Sequence, residues 1–285
     1  MADTMLLAGS AAGGSILLPT PEASPARRRT GSALGVLGRA VRASVAIGAF
    51  LLLWELAPRL GFVDRTFLPP FSVVAKAWWV LAGNGTLWGN ASASLTRAFG
   101  GFFLSIAIAV PLGLLIGWYR PVAQVLDPLL ELFRNTAALA LLPVFTLILG
   151  IGETSKIAIV VYACLWPILL NTVAGVRNVD PLLIKSARSM GLSPLRLFAK
   201  VVLPASVPNI FTGIRLAGAY SVLILIAAEM VGAKAGLGYY INYAQYNFQI
   251  PQMYAGILTI SALGLLLNLT LLRLERRLSR WRTTV

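Results

Sequence analysis

The feature that most constrains this chain is a set of apolar runs long enough to cross a lipid bilayer. From Ala98 to Trp118 there is no charged residue at all. A spanning segment has no water to satisfy its backbone, so it must bond to itself as a helix, and crossing takes about 20 apolar residues. Six stretches qualify as candidates: Val41–Ala57 (interrupted by Glu55), Ala98–Trp118, Thr136–Gly150 (short, with Pro143), Ile157–Val176 (with Pro167), Asn209–Val231 and Gln252–Leu272. The expected fold class is therefore an all-α polytopic membrane protein with six transmembrane helices. Composition agrees: 58% of residues are hydrophobic and 12% charged, where a soluble domain carries about 25% charged residues.

Residues 1–40 are rich in Ala, Gly, Ser and Pro and carry Arg27-Arg28-Arg29, the pattern of a flexible cytoplasmic tail rather than a cleaved signal peptide. Residues 41–285 form the expected transmembrane domain. Between its first two spans lie Pro69-Pro70, an amphipathic segment over Val73–Leu81, and Trp78, Trp79 and Trp88, which suit a membrane interface. With the N-terminus inside, only Arg59, Arg65, Lys76, Arg97, Lys156 and Lys234 of the 24 basic residues fall outside. That bias places both termini in the cytoplasm. It also accounts for the net charge of +14, so a nucleic-acid partner is not expected. There is no His and one Cys, Cys164, which removes the commonest general base and any intrachain disulfide. Gly113 and Gly117 form a Gly-x3-Gly that permits close helix packing.

The loop 180–204 is polar and structured. Asp180 is a good N-cap and Pro181 suits a first helical turn. Leu183, Ala187 and Met190 share one face, and Gly191 can take the left-handed conformation that ends a helix. Ser193-Pro194 repeats the start signal, a second short helix is expected over Leu195–Val202, and Pro204 is expected to stop it. The product is two short helices at a Gly elbow carrying Lys185, Arg188, Arg196 and Lys200.

Lys185, Ser186, Ala187, Gly191, Val201, Leu203 and Pro204 fall at the spacing Glu-Ala-Ala-x3-Gly-x9-Ile-x-Leu-Pro. This resembles the signature of permease subunits in binding-protein-dependent ATP-driven (ABC) importers. Lys185 stands where the family has Glu, Ser186 where it has Ala. Further blocks resemble the nitrate, sulfonate, taurine and bicarbonate group: Phe67-Leu68-Pro69-Pro70, Ser94-Leu95-Thr96-Arg97, Gly150-Ile151-Gly152-Glu153-Thr154-Ser155-Lys156, Ala227-Ala228-Glu229-Met230 and Gly236-Leu237-Gly238-Tyr239. Ala137-Ala138 departs from the family, which has prolines there.

The resemblance implies a type I importer permease fold in a bacterial inner membrane. It implies two copies of the permease, a dimer of cytoplasmic ATPases and an extracytoplasmic solute-binding protein as partners. The elbow would be the ATPase-coupling site, through Lys185, Ser186, Ala187, Arg188, Gly191, Arg196, Lys200, Leu203 and Pro204. The solute would be a small anion, moved by alternating access. The chain has no Gly-x4-Gly-Lys-Ser/Thr loop, so ATP and Mg belong to the partner and this subunit is not an enzyme.

Glu229 lies in an apolar run, where an ionisable group is expensive and points to function. It reads either as a gate paired with a basic or polar group, or as a carboxylate bonding a neighbouring loop. Asn171 and Tyr162 read either as pathway groups or as interhelical hydrogen-bonding groups, and Pro143 as a kink beside a gate. A secondary transporter without an ATPase is the alternative class; it would require an internal repeat and paired intramembrane charges.

Overall fold

The computed structural model describes residues 33–278. The chain divides into two units, Met1–Phe50 and Leu51–Val285. The described part of the first is the beginning of α1 (Ala33–Arg59). The expected tail thus lies outside the described residues up to position 32, and its boundary at 40 falls inside α1.

In the second unit the rest of α1 is followed by α2 (Phe71–Gly83), α3 (Thr86–Trp118), α4 (Arg120–Arg134), a 3-10 turn (Ala138–Leu141) and α5 (Leu142–Leu149). Then come α6 (Glu153–Arg177), α7 (Pro181–Ser189), α8 (Pro194–Leu197), a π-helical turn (Phe198–Val202), α9 (Leu203–Glu229), α10 (Leu237–Tyr246) and α11 (Ile250–Leu278). No strand occurs among the described residues. The α1–α2 link is fixed locally. Asp64 accepts the Thr66 N–H at 2.8 Å, which lowers its pKa below the usual carboxylate value. Glu55 accepts both the N–H and the hydroxyl of Ser72.

Four helical runs among the described residues are long and apolar enough to cross a membrane: α3, α6, the run Pro194–Glu229 and α11, with mean hydropathies of 1.9 to 2.3. The core is built from α3, α6 and α9. Lipid tails are as apolar as leucine, so helices associate in a membrane by close packing rather than by exclusion of water. Gly113 and Gly117 lie against Thr172 and Val176 of α6, and Gly213 of α9 lies against the Pro167 carbonyl. Around these contacts Phe102, Ile116, Ile159, Ile168, Leu169 and Leu225 are buried.

The third expected span, Thr136–Gly150, is not one helix. Ala137 is extended (φ −63°, ψ 119°), and α5 has 8 residues, about 12 Å of helix at 1.5 Å per residue. Pro143, in the first turn of α5, lacks the N–H that would continue a helix from upstream. A crossing here needs α4 and the segment Ala138–Leu149 together, bent by 87°. Helix α4 was not foreseen. It is strongly amphipathic: Val122, Leu126 and Leu130 pack on the core, while Gln124, Asp127 and Glu131 are exposed. The second expected span begins earlier than its apolar content, because polar residues from Thr86 to Arg97 continue the helix.

Candidate functional site

The elbow forms as its sequence dictates at the first helix. The Asp180 carboxylate accepts the Leu182 N–H at 2.8 Å, filling one of the donors a helix start leaves open. At the other end Gly191 has φ +75°. Its N–H donates to Arg188 O, and the Leu192 N–H donates to Ala187 O, the paired bonds of a Schellman cap. Asp180→Ala is expected to cost about 1 kcal/mol of helix stability. Faster hydrogen exchange at Leu182 would register it, and an unchanged rate would deny the cap its role.

Of the three residues expected to share one face, Ala187 is buried, whereas Leu183 and Met190 are exposed. Ile184, one turn earlier, packs with Val176, Val179, Val202 and Phe198 instead. The buried face runs through Ile184 and Ala187, i and i+3, with Ile184 packed against Val176 at the end of α6. Lys185, Ser186, Arg188, Gly191, Arg196, Lys200 and Pro204 are exposed, and Leu203 is half-buried. Among the described residues none of the four cations has an ion-pair partner. Leu182, Leu183, Met190 and Leu195 add exposed apolar surface beside them. A 420 Å³ cavity lies behind, lined by Leu114, Trp118, Tyr119, Pro194, Leu195 and Phe198.

Pro204 does not stop the second helix. The helical run continues from Pro194 to Glu229, 36 residues in all. The π turn at Phe198–Val202 absorbs the proline: the Leu203 N–H reaches back to Phe198 O. Widening the helix there relieves the clash between a proline ring and the carbonyl four residues earlier.

At the far end of the same run sits Glu229, its last residue and 1% exposed. Arg97 Nη1 donates to its carboxylate at 2.6 Å, Ser94 Oγ donates at 2.7 Å, and the Gly238 N–H donates at 3.0 Å. Arg97 Nη1 also donates to Ala235 O, while its Nε and Nη2 donate to the two oxygens of Glu153. Lys156, 4% exposed, donates to Gly152 O and Gly232 O. This cluster holds two cations and two carboxylates, so it is neutral overall.

Arg97, Ser94, Glu153 and Lys156 were legible only as topological charge or as parts of sequence blocks. The available signal was Glu229 itself, since a carboxylate in an apolar run requires a partner. Arg97, counted above among the charges on the outer side, is a buried residue of α3.

The remaining candidates are not gathered around Glu229. Tyr162 donates to Phe133 O at 2.7 Å and packs edge-on against Trp166. Asn171 donates to Pro167 O, one turn back, and its Cβ borders Gly213. Nine residues apart on α6, Tyr162 and Asn171 point to opposite faces at 3.6 residues per turn. Pro143 is exposed at the start of α5. Among the described residues no group of three or more His, Cys, Asp or Glu side chains is placed to hold a metal.

Apolar spans around a tight three-helix core, with a capped basic elbow at one end, define a polytopic membrane protein. Residues 109–282 match the family described as "Binding-protein-dependent transport system inner membrane component", and the chain belongs to that family. It is 35% identical over 251 residues to the taurine transport system permease protein of Escherichia coli strain K12, covering 86% of this chain and 91% of that protein. It is 34% identical over 256 residues to the nitrate import permease protein of Leptolyngbya laminosa, covering 85% and 91%. A chain of the methionine ABC transporter MetNI, solved in inward-facing conformations, superposes with a TM-score of 0.58 at 20% identity, covering 70% of this chain and 96% of that one. The fold is that of a type I ABC importer permease, and the chain is a non-catalytic, multi-pass membrane component of an ABC importer.

Proposed function

We propose that this chain forms the pathway of an ATP-driven importer for a small oxyanion of the taurine, sulfonate or nitrate kind. The observation that carries this reading is the elbow. Its full signature spacing coincides with a capped, glycine-ended turn that exposes four apolar side chains and four cations without an ion-pair partner among the described residues. That surface suits the groove of a cytoplasmic ATPase, which would supply ATP and Mg chemistry. A second copy of the chain would complete the pathway, consistent with two-fold assembly as the commonest symmetry, and an extracytoplasmic protein would deliver the solute. Both termini would lie in the cytoplasm. ATPase closure would move the elbows and turn the pathway outward; hydrolysis would reset it. Pro143 and Tyr162, on the α5 side of α6, are the proposed pathway side chains, with Asn171 on the opposite face packed toward α9, and Glu229 is the anchor of a gate at the end remote from the elbow.

Purification of the tagged chain from its own cells in mild detergent tests this. An ATPase is expected to co-purify, and Arg196→Glu with Lys200→Glu is expected to release it. Recovery of the permease alone at every salt concentration would favour a secondary transporter.

A further inference from the structure

From α3, Arg97 reaches both the end of the elbow-bearing helix at Glu229 and the loop beyond it at Ala235 O, and the two arms of Arg97 differ. We infer that Arg97 is a positioning residue: with Asn90 and Ser94 it binds the loop 230–236 and the Glu229 end of α9 into one body with α3, so that displacement of the elbow is delivered to that loop. This rests on the elbow as the point where the ATPase acts.

The bonds that fix the loop lead back to this cluster. Ala235 O accepts from Arg97 at 2.7 Å, the Gly236 N–H donates to Asn90 Oδ1 at 2.9 Å, and the Leu237 N–H donates to Ser94 Oγ at 2.8 Å. The Ser94 hydroxyl in turn donates to Glu229, which also accepts the Gly238 N–H. Gly236, at φ +121°, closes directly over the carboxylate, and a Cβ there would overlap it. The loop, the end of α9 and α3 are thus one packed unit around Glu229, with Asn90, Ser94 and Arg97 all on α3.

The carboxylate is sealed, with its side chain 0% exposed against 6% for Arg97, whereas Glu153 is 63% exposed. An ion pair open to water contributes little, while stripping one partner from a buried pair is severely destabilising. When the helix ends are pulled apart, the Glu153 arm gives way and the Glu229 arm holds. The cluster's neutrality also leaves no free charge at Glu229 to bind a passing ion, which makes it an anchor.

The test places a spin label at Lys234→Cys, an exposed loop position; Cys164 is buried and does not compete. The permease is reconstituted with its ATPase in nanodiscs, and label mobility is compared without nucleotide and with ATP plus vanadate. In the wild type, nucleotide is expected to shift the spectrum. In Arg97→Gln the resting label is expected to be freer and the nucleotide shift lost, while ATP hydrolysis per assembled complex stays within about twofold, as for loss of coupling rather than of either site. Glu153→Gln is expected to keep the shift. If Arg97→Gln does not accumulate, Gly236→Ala, which leaves all four charges in place, is expected to lose the shift in the same way. A full shift in Arg97→Gln or Gly236→Ala, or no shift in the wild type, overturns the inference. If no ATPase associates with the wild type, the function proposed above fails, and resting mobility alone decides: a label no freer in either variant than in the parent overturns the junction.

Discussion

Gly191→Val is expected to abolish coupled transport while leaving the protein in the membrane. Gly191 holds φ +75° in the Schellman cap that turns α7 into α8, and nothing lies within 4 Å of where its Cβ would be. The effect is therefore conformational rather than steric. A side chain in the left-handed region costs roughly 1–3 kcal/mol, and a β-branched one falls at the upper end. At about 1.4 kcal/mol per tenfold, the turn that orients Arg196 and Lys200 against Lys185 and Arg188 would be depopulated by an order of magnitude or more. Taurine, as the probe solute, should enter cells or proteoliposomes at least about tenfold more slowly, with unchanged permease in the membrane fraction. Uptake at the wild-type rate would remove the elbow from the transport cycle.

Gly213→Val is expected to have a large effect on folding. A Cβ at Gly213 would lie 2.7 Å from Pro167 O and 2.8 Å from Asn171 Cβ. One of these neighbours is backbone, so no rotamer change relieves the contact and α9 must move away from α6. Overpacking costs about 1–3 kcal/mol, and more when backbone must shift. At about 2–4 °C per kcal/mol for a chain of this size, the detergent-solubilised protein should melt on the order of 10 °C lower. Gly264→Ala in α11 is the control, since its Cβ meets nothing within 4 Å; it should melt at or slightly above the parent temperature. Equal melting of Gly213→Val and the parent would show that α6 and α9 are not packed through Gly213.

The two variants separate what local sequence controls from what packing controls. The elbow's first helix was readable because its signals are local. Asp180, Pro181 and Gly191 act within one turn of their own positions, and the structure places a cap, a first turn and a left-handed residue there. The spans of α3, α6, α9 and α11 were readable because a run of apolar residues in lipid has one backbone solution. The segment 136–150 was misjudged because apolar content does not report where a proline and an extended residue interrupt a helix. Pro204 misled in the opposite sense: a π turn accommodates a proline that a regular helix would not.

By itself the sequence determined a polytopic helical membrane protein with a structured basic elbow and no catalytic constellation, since apolar length, caps and missing residue types are properties of composition and near neighbours. Tertiary structure alone decided which residues meet Glu229. Ser94, Arg97 and Gly238 come to it from α3 and from the first turn of α10, and Arg97 is 132 positions away in the chain. A buried charge announces that it needs a partner, but the packing of α3, α6 and α9 selects which one.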